Sequence, residues 1–175
     1  MDINEEFIKG FNSLDLYLWF KDYGETDLEK IVRKLIDEKK VWIANSLLTS
    51  SMNKKQCVKY TIYIAKSIIV HFDLLKCRFG NPVFIVNSAE KWLENNSEKN
   101  RILAMNEFNN AIYYDRDSIS ESIIYIAALS AWCAGQKEEK SSSINYNANK
   151  CAEEAESIGG NMIEYIEYGL SLFKD

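Results

Sequence analysis

The sequence predicts an all-α protein, a compact multi-helix bundle of about seven to nine helices around a long central helix at about residues 53–78. Three observations favour this fold class. The 175-residue chain has only seven glycines and one proline, too few turn residues for an all-β sandwich or barrel. Apolar residues recur three and four positions apart over most of the chain, which is the spacing of one helix face. Residues 119–135 are rich in alanine and serine, as expected for a helix packed closely between neighbours.

The chain length and composition predict a single helical domain spanning residues 1–175. The acidic N-terminal residues and the absence of a following apolar region argue against a secretory signal, and no run approaches the roughly 18 apolar residues of a membrane span. We therefore expect a cytoplasmic protein that does not bind membranes. Four cysteines without close spacing favour reduced, buried thiols over disulfides or a metal site.

Capping residues divide the first half of the chain into helices. A weak helix is predicted near residues 3–11 and another at about 40–50. Side chains that can accept hydrogen bonds from a first helical turn precede three further helices. These side chains are Ser13, Thr26 and Asn53, and Gly24 ends the helix that Ser13 begins.

The apolar spacing also predicts which side chains of these helices face the core. The central helix has two apolar faces and a narrow polar stripe, which is typical of a helix packed on several sides. In the helices that precede it, the inward side chains are predicted to be Leu14, Tyr17, Leu18, Ile31, Leu35, Ile36, Trp42, Ile43 and Leu47.

The second half begins at Pro82, which favours a first helical position. Ser97 can cap the next helix, and Ser118 with Glu121 has the spacing of a capping box. Residues 136–147 are polar and are predicted to form an exposed loop. Helices at about 148–158 and from Met162 onward complete the chain.

Few residues of this chain can support catalysis. His71 is the one histidine, so Ser-His-Asp, Cys-His, HExxH and Glu-x-x-His sites have at most one candidate. No glycine-rich phosphate loop or GxSxG motif occurs. Carboxylate pairs such as Glu164 and Glu167 are interpreted as a solvated helix face. The sequence thus predicts a binding protein, not an enzyme, with no cofactor and no metal.

A polar turn between two predicted helices carries our candidate partner-binding residues. Two tyrosines stand beside two aspartates there, and aromatic residues next to charge are common at protein interfaces. Helix-packing aromatics with one polar edge are the alternative interpretation. The candidates are Tyr113, Tyr114, Asp115 and Asp117.

The charge is unevenly distributed along the chain. The net charge is −5, which argues against a nucleic-acid-binding protein. Residues 53–81 carry a net charge of +5, whereas residues 82–175 carry −7. The acidic half is either a solvated surface that maintains solubility or an electrostatic match to a basic partner.

Four segments match, in order, the pattern of one family. Residues 42–48, followed by Met52 and Lys55-Gln56, are similar to a Trp-Ala-Asn-Trp-Leu segment with a following Met and Lys-Gln. Residues 60–65 resemble Tyr-Ala-x-Tyr-Ala-Ala, and residues 82–92 resemble Pro-Arg-x-Ala-Ile-Glu-Ala-Ala with a following aromatic. Residues 162–170 resemble Met-x-x-x-Ile-x-x-Tyr-Gly-x-x-Leu. The family is that of small alanine-rich helical immunity proteins of bacterial toxin systems, and the resemblance covers about residues 40–173.

The resemblance implies an inhibitor that binds and neutralises a cognate bacterial toxin in the cytoplasm of the producing cell. Such genes also occur on phages and mobile elements, so a protein that binds a host defence component is a second expectation. A small-ligand binder or enzyme with a pocket among the helices is a third. The identity of the partner and the oligomeric state are left open at this point.

Overall fold

The computed structural model describes residues 2–11, 13–70, 81–111, 118–137 and 142–174. Within these ranges the backbone forms helices joined by short connections, with one isolated antiparallel bridge between Asp2 and Asp27. The predicted all-α fold is confirmed. The described residues contain ten helices: α1 (Glu5–Lys9), α2 (Leu14–Tyr23), α3 (Leu28–Asp37), α4 (Val41–Ser50), α5 (Lys54–Ile69), α6 (Pro82–Glu94), α7 (Glu98–Ala111), α8 (Ile119–Gly135), α9 (Ser142–Ser157) and α10 (Met162–Ser171).

Helices α5 and α8 together form the centre of the bundle. Helix α8 packs against α5, α6, α7 and α9, while α5 also contacts α6, α9 and α10. Both apolar faces predicted for α5 are buried over Lys54–Ile69. The remainder of the predicted range 53–78 extends into residues 71–80, outside the described part of the chain.

The small residues of α8 allow its neighbours to approach closely. Ala127, Ala128 and Ala131 are completely buried. At Gly135 an added Cβ would lie 3.1 Å from the Met105 backbone of α7, so even a methyl group would crowd this contact. The prediction that this helix is buried between neighbours is confirmed.

Most helix caps are the residues predicted from the sequence. The Ser13 hydroxyl accepts from the backbone of Leu16, and both Asn53 and Ser118 form capping boxes. Thr26 was the wrong cap for α3, because the Asp27 carboxylate one residue later accepts the hydrogen bond from Lys30 N. An aspartate at this position also interacts favourably with the helix dipole.

Three side chains predicted to face inward are exposed instead. Leu14, Leu18 and Trp42 are 70%, 49% and 50% exposed, respectively. Helix α2 has apolar residues on more than one side and buries Leu16 and Phe20. In such a helix the spacing alone does not select the side that packs against the core.

The loop predicted at residues 136–147 is shorter than expected. Helix α9 begins at Ser142, six residues earlier than the predicted helix. Ile144, Ala148 and Cys151 are buried at helical spacing, so this face continues into the Ser- and Asn-rich segment. Burial of the apolar face outweighs the preference of serine and asparagine for turns.

Candidate functional site

The family-like segments on α4, α5 and α10 pack directly against one another. Gly169 of α10 makes this possible, because an added Cβ there would lie 2.7 Å from the Leu48 side chain and 3.1 Å from the Tyr60 ring. Real Cβ atoms do not approach side chains as closely as 2.7 Å. The glycine therefore allows α10 to lie against both α4 and α5. Most residues shared with the family pattern in these segments build the core, and only a few reach the surface.

Four surface residues of the α5 and α10 segments form an acidic and aromatic patch, which we call the α5–α10 patch. It consists of Tyr63, Glu164, Glu167 and Tyr168. The Tyr63 and Tyr168 rings are stacked with centroids 3.9 Å apart and planes 10° apart. Both rings are half-buried, whereas the two carboxylates are exposed. Stacking holds the rings in place, so they present a fixed aromatic surface with carboxylates beside it.

Hydrogen bonds and an ion pair fix the two carboxylates of the patch. The Tyr63 hydroxyl donates to Glu164 Oε1 at 2.7 Å. This bond to a carboxylate raises the pKa of Tyr63 to about 12, and partial burial adds to the rise. The Arg33 guanidinium on α3 donates to both carboxylate oxygens of Glu167, at 2.7 and 3.1 Å. It also reaches Glu29 at 2.8 Å, and Lys174 contacts the same Glu29 oxygen at 3.4 Å, so these two cations balance Glu29 and Glu167.

A chain of hydrogen bonds connects the buried core to the protein surface between α4 and α9. We call it the Asn45 relay. The fully buried Tyr60 hydroxyl donates to Asn45 Oδ1 at 2.5 Å, and Asn45 Nδ2 donates to Asn149 Oδ1 at 2.7 Å. Asn149 Nδ2 then donates to Glu153 Oε1 at 2.7 Å. Complete burial raises the pKa of the Tyr60 phenol well above its usual value. Every donor in the relay points toward the carboxylate, an arrangement in which the bonds strengthen one another.

A cleft of about 570 Å³ opens between α1, α4 and α9, and we call it the α1–α4–α9 cleft. Asn149, from the middle of the Asn45 relay, contributes to its lining together with Asn145 one helical turn earlier. Phe7 of α1 and Phe11, which follows this helix, also line the cleft, and their rings meet edge to face at 5.7 Å. Tyr146 of α9 lines it as well and is 64% exposed. The cleft is therefore aromatic at its walls and polar where it meets α4 and α9.

A second buried polar site closes the C-terminal end of α8. Lys54 is 6% exposed, and its ammonium donates to the Gln136 carbonyl at 2.5 Å. The same nitrogen lies 4.2 Å from the centre of the Trp92 ring. Arg101 donates to the Gly135 carbonyl at 2.7 Å. Two cations at carbonyls that lack helical partners stabilise the end of a helix, so we interpret this site as structural.

The candidate binding residues named from the sequence, Tyr113, Tyr114, Asp115 and Asp117, lie outside the described residues. The same holds for His71. Their proposed roles therefore stay predictions.

The thiols agree with the expectation of buried, reduced cysteines where the structure describes them. Cys57, Cys133 and Cys151 are free and buried. Burial raises the pKa of Cys57 to about 12 and raises that of the other two as well. These thiols are therefore protonated at neutral pH and poor nucleophiles. Cys77 lies outside the described ranges.

Two searches of the described residues gave negative results. No group of three or more His, Cys, Asp or Glu side chains is arranged to hold a metal ion there. None of the helices in those ranges combines the length and apolar character needed to cross a bilayer.

Comparisons with known proteins do not add a relative. No protein-family model matches the chain, and neither a curated protein nor a solved structure matches it. A function is therefore inferred below from the residues and geometry of this chain and from the resemblance of its segments.

Sequence reasoning missed the Asn45 relay and the cleft. Asn45 and Thr49 lie on the buried face of α4 beside Leu48, one helical turn apart. A polar residue within an otherwise apolar helical face signals a buried hydrogen-bonded side chain. That signal was present in residues 42–48, but it does not identify the partner, because Asn149 lies 104 residues away in sequence.

Proposed function

We propose that this protein is an immunity-type inhibitor that binds and neutralises a bacterial toxin by direct protein–protein contact through the α5–α10 patch. One observation carries the proposal: the stacked Tyr63 and Tyr168 rings stand partly exposed beside the carboxylates of Glu164 and Glu167. Aromatic anchors of this kind are enriched among the residues that dominate binding energy at interfaces. Because the rings are held by each other, little side-chain freedom is lost on binding.

The charge of the patch indicates a basic partner. Glu164 is held by a neutral phenol, so its negative charge is not offset by this contact, whereas Glu167 is paired with Arg33. The chain also carries a net charge of −5, which attracts a basic toxin at long range and accelerates its association. We expect the association rate to fall as the salt concentration rises.

The resemblance supports the same surface. Two of the family-like segments, residues 60–65 and 162–170, supply all four residues of the patch. Their remaining residues are largely buried, so the patch is what these two segments present to a partner. A host defence component is the alternative partner, and it would use the same kind of contact.

The test combines binding with protection. The chain is co-expressed with the products of its neighbouring genes, and both co-purification and cell growth are measured. We expect one product to be toxic alone, to co-purify with the chain and to be harmless in its presence. If the partner belongs to a defence system, the chain should instead abolish that system's protection against phage.

Matched charge reversals test the surface. Glu164→Lys should weaken binding at least about tenfold, because it removes an acidic contact and places a like charge opposite a basic partner. Glu94→Lys makes the same change at an exposed residue of α6 outside the patch and should leave affinity nearly unchanged. An equal loss of affinity in both variants would mean that only the overall charge of the protein matters, and it would contradict the assignment to the patch. Failure of every neighbouring product to bind would contradict the proposed function itself.

A further inference from the structure

The α1–α4–α9 cleft has features of a ligand site that the α5–α10 patch does not use. It is about 570 Å³ in volume, within the usual range for small-ligand sites. Its lining comes from three helices that are far apart in sequence. The Asn45 relay fixes its polar side, because Asn149 is held by a hydrogen bond on each side of its amide.

Two side chains that line the cleft, Asn145 and Glu6, are disposed to accept hydrogen bonds. Asn145 Nδ2 donates to the backbone carbonyls of Thr49 and Met52, at 2.5 and 3.0 Å. Carbonyl oxygens only accept, so the amide orientation is fixed and both N–H groups are occupied. The Asn145 Oδ1 atom is left as an acceptor. Glu6, which also lines the cleft, is acceptor-only when ionised.

The local charge is negative. Lys9 is the basic residue of α1, and it lies 4.0 Å from Glu5, the neighbour of Glu6. Its charge therefore offsets the Glu5 carboxylate more than that of Glu6. The Asn45 relay ends farther from the core, on the Glu153 carboxylate, which shares Lys150 with Glu154 at 3.4 and 3.1 Å, respectively. Among the described residues that line the cleft, Glu6 is thus the one charged side chain that a ligand would meet.

We propose that the α1–α4–α9 cleft binds a guanidinium group. A guanidinium has five N–H donors and no acceptor, which suits the Glu6 carboxylate and the Asn145 carbonyl oxygen. Its planar, weakly hydrated cation also stacks on aromatic rings, and Phe7, Phe11 and Tyr146 supply them. An ammonium ion can also lie over an aromatic ring, but it is more strongly hydrated and has no planar face to stack, and an anion would be repelled by Glu6. The group comes either from an arginine side chain of another protein or from a free guanidinium compound.

Two probes distinguish these sources. A blocked Ala-Arg-Ala tripeptide and methylguanidinium chloride, each carrying a single guanidinium charge, are titrated separately into the ¹⁵N-labelled protein, and the side-chain amides of Asn145 and Asn149 are followed by NMR. Saturable shifts with either probe support the guanidinium site. Tighter binding of the tripeptide indicates an arginine of a protein, whereas tighter binding of methylguanidinium indicates a free compound.

The controls are matched to the chemistry. A tripeptide with citrulline in place of arginine keeps the shape and loses the charge, and it should bind at least about tenfold more weakly. Glu6→Gln should weaken arginine binding by about the same factor. Glu5→Gln makes the identical change at the adjacent residue, which does not line the cleft, and should have little effect.

Three results would overturn the proposal. They are equal binding of the citrulline and arginine tripeptides, equal loss in Glu5→Gln and Glu6→Gln, and no saturable shift up to about 20 mM of either probe, a limit above ordinary ligand affinities. None of these measurements requires a toxin. The guanidinium site can therefore fail while the proposed function holds, and the reverse is also true.

Discussion

The two buried polar sites of this protein differ in where their hydrogen bonds lead. At the end of α8, the Lys54 ammonium meets a backbone carbonyl and the Trp92 ring, both belonging to the protein. Behind α4, the Asn45 relay carries hydrogen bonds from the core to Asn149, which also lines a cleft. The first site closes a helix end. Lys54 and Trp92 also line a cleft, but their contacts end at the α8 terminus. The second site carries hydrogen bonds from the core to the lining of the α1–α4–α9 cleft, so we expect changes there to alter both stability and binding of a ligand in that cleft.

The largest effect is expected at the middle of the relay. Asn45→Ala removes the acceptor of the buried Tyr60 hydroxyl and the donor to Asn149 at once. Leaving a buried hydroxyl unsatisfied and opening a small cavity should reduce the free energy of unfolding by about 2–4 kcal/mol. Thermal unfolding should show a decrease in Tm of roughly 5–15 °C.

The matched control for that change is Asn147→Ala on α9. The Asn147 side chain bonds only a backbone carbonyl of its own helix, at an exposed position. Alanine has the higher helix propensity, so Tm should stay the same or rise slightly. A decrease as large as that of Asn45→Ala would show that the relay has no special role in stability.

A smaller effect is expected at the other site. Lys54→Met keeps an unbranched stem of similar size but removes the charge from the Gln136 carbonyl and the Trp92 ring. The loss should be about 1–2 kcal/mol in the free energy of unfolding, measured by urea denaturation. Lys55→Met, at the exposed neighbouring residue, should be close to neutral.

The same two variants also test whether the two sites differ in their effect on ligand binding. Asn45→Ala should also lower the affinity of the cleft for the guanidinium probes, because Asn149 loses one of its two hydrogen-bond partners. Lys54→Met should leave that affinity unchanged. Weakening in both variants would mean that the cleft responds to global stability and not to the relay.

Prediction from the sequence succeeded where a residue pattern is compatible with a single packing arrangement. The small residues of α8 and the capping box at Ser118 each indicated the structure that forms. Prediction failed where two solutions are compatible with the pattern, as for Leu18 of α2, because either apolar side of that helix could pack inward. It also failed for the relay and the cleft. Those depend on α4 and α9, which are about a hundred residues apart in sequence and meet only through tertiary packing.

The smallest effect on stability, and the most specific, is expected in the α5–α10 patch. The hydrogen bond to Glu164 raises the pKa of Tyr63 to about 12, above its ordinary value of 10.0. A raised folded-state pKa means that the bond contributes to stability below about pH 10, and that this contribution is lost as the pH rises toward 12. Glu164→Gln should therefore lower the pKa of Tyr63 toward its ordinary value, while Tm at pH 7 should change little because the Glu164 carboxylate is exposed to solvent.

This shift is measured by following the Tyr63 ring-carbon resonance of ¹³C-labelled protein from pH 8 to 12. Glu167→Gln is the matched control, because Glu167 pairs with Arg33 and accepts no bond from the phenol. An unchanged Tyr63 pKa in Glu164→Gln would show that stacking on Tyr168 and partial burial, not the carboxylate, perturb the phenol. In that case the aromatic pair would keep its orientation without Glu164, and the carboxylate would be free to contact a basic partner directly.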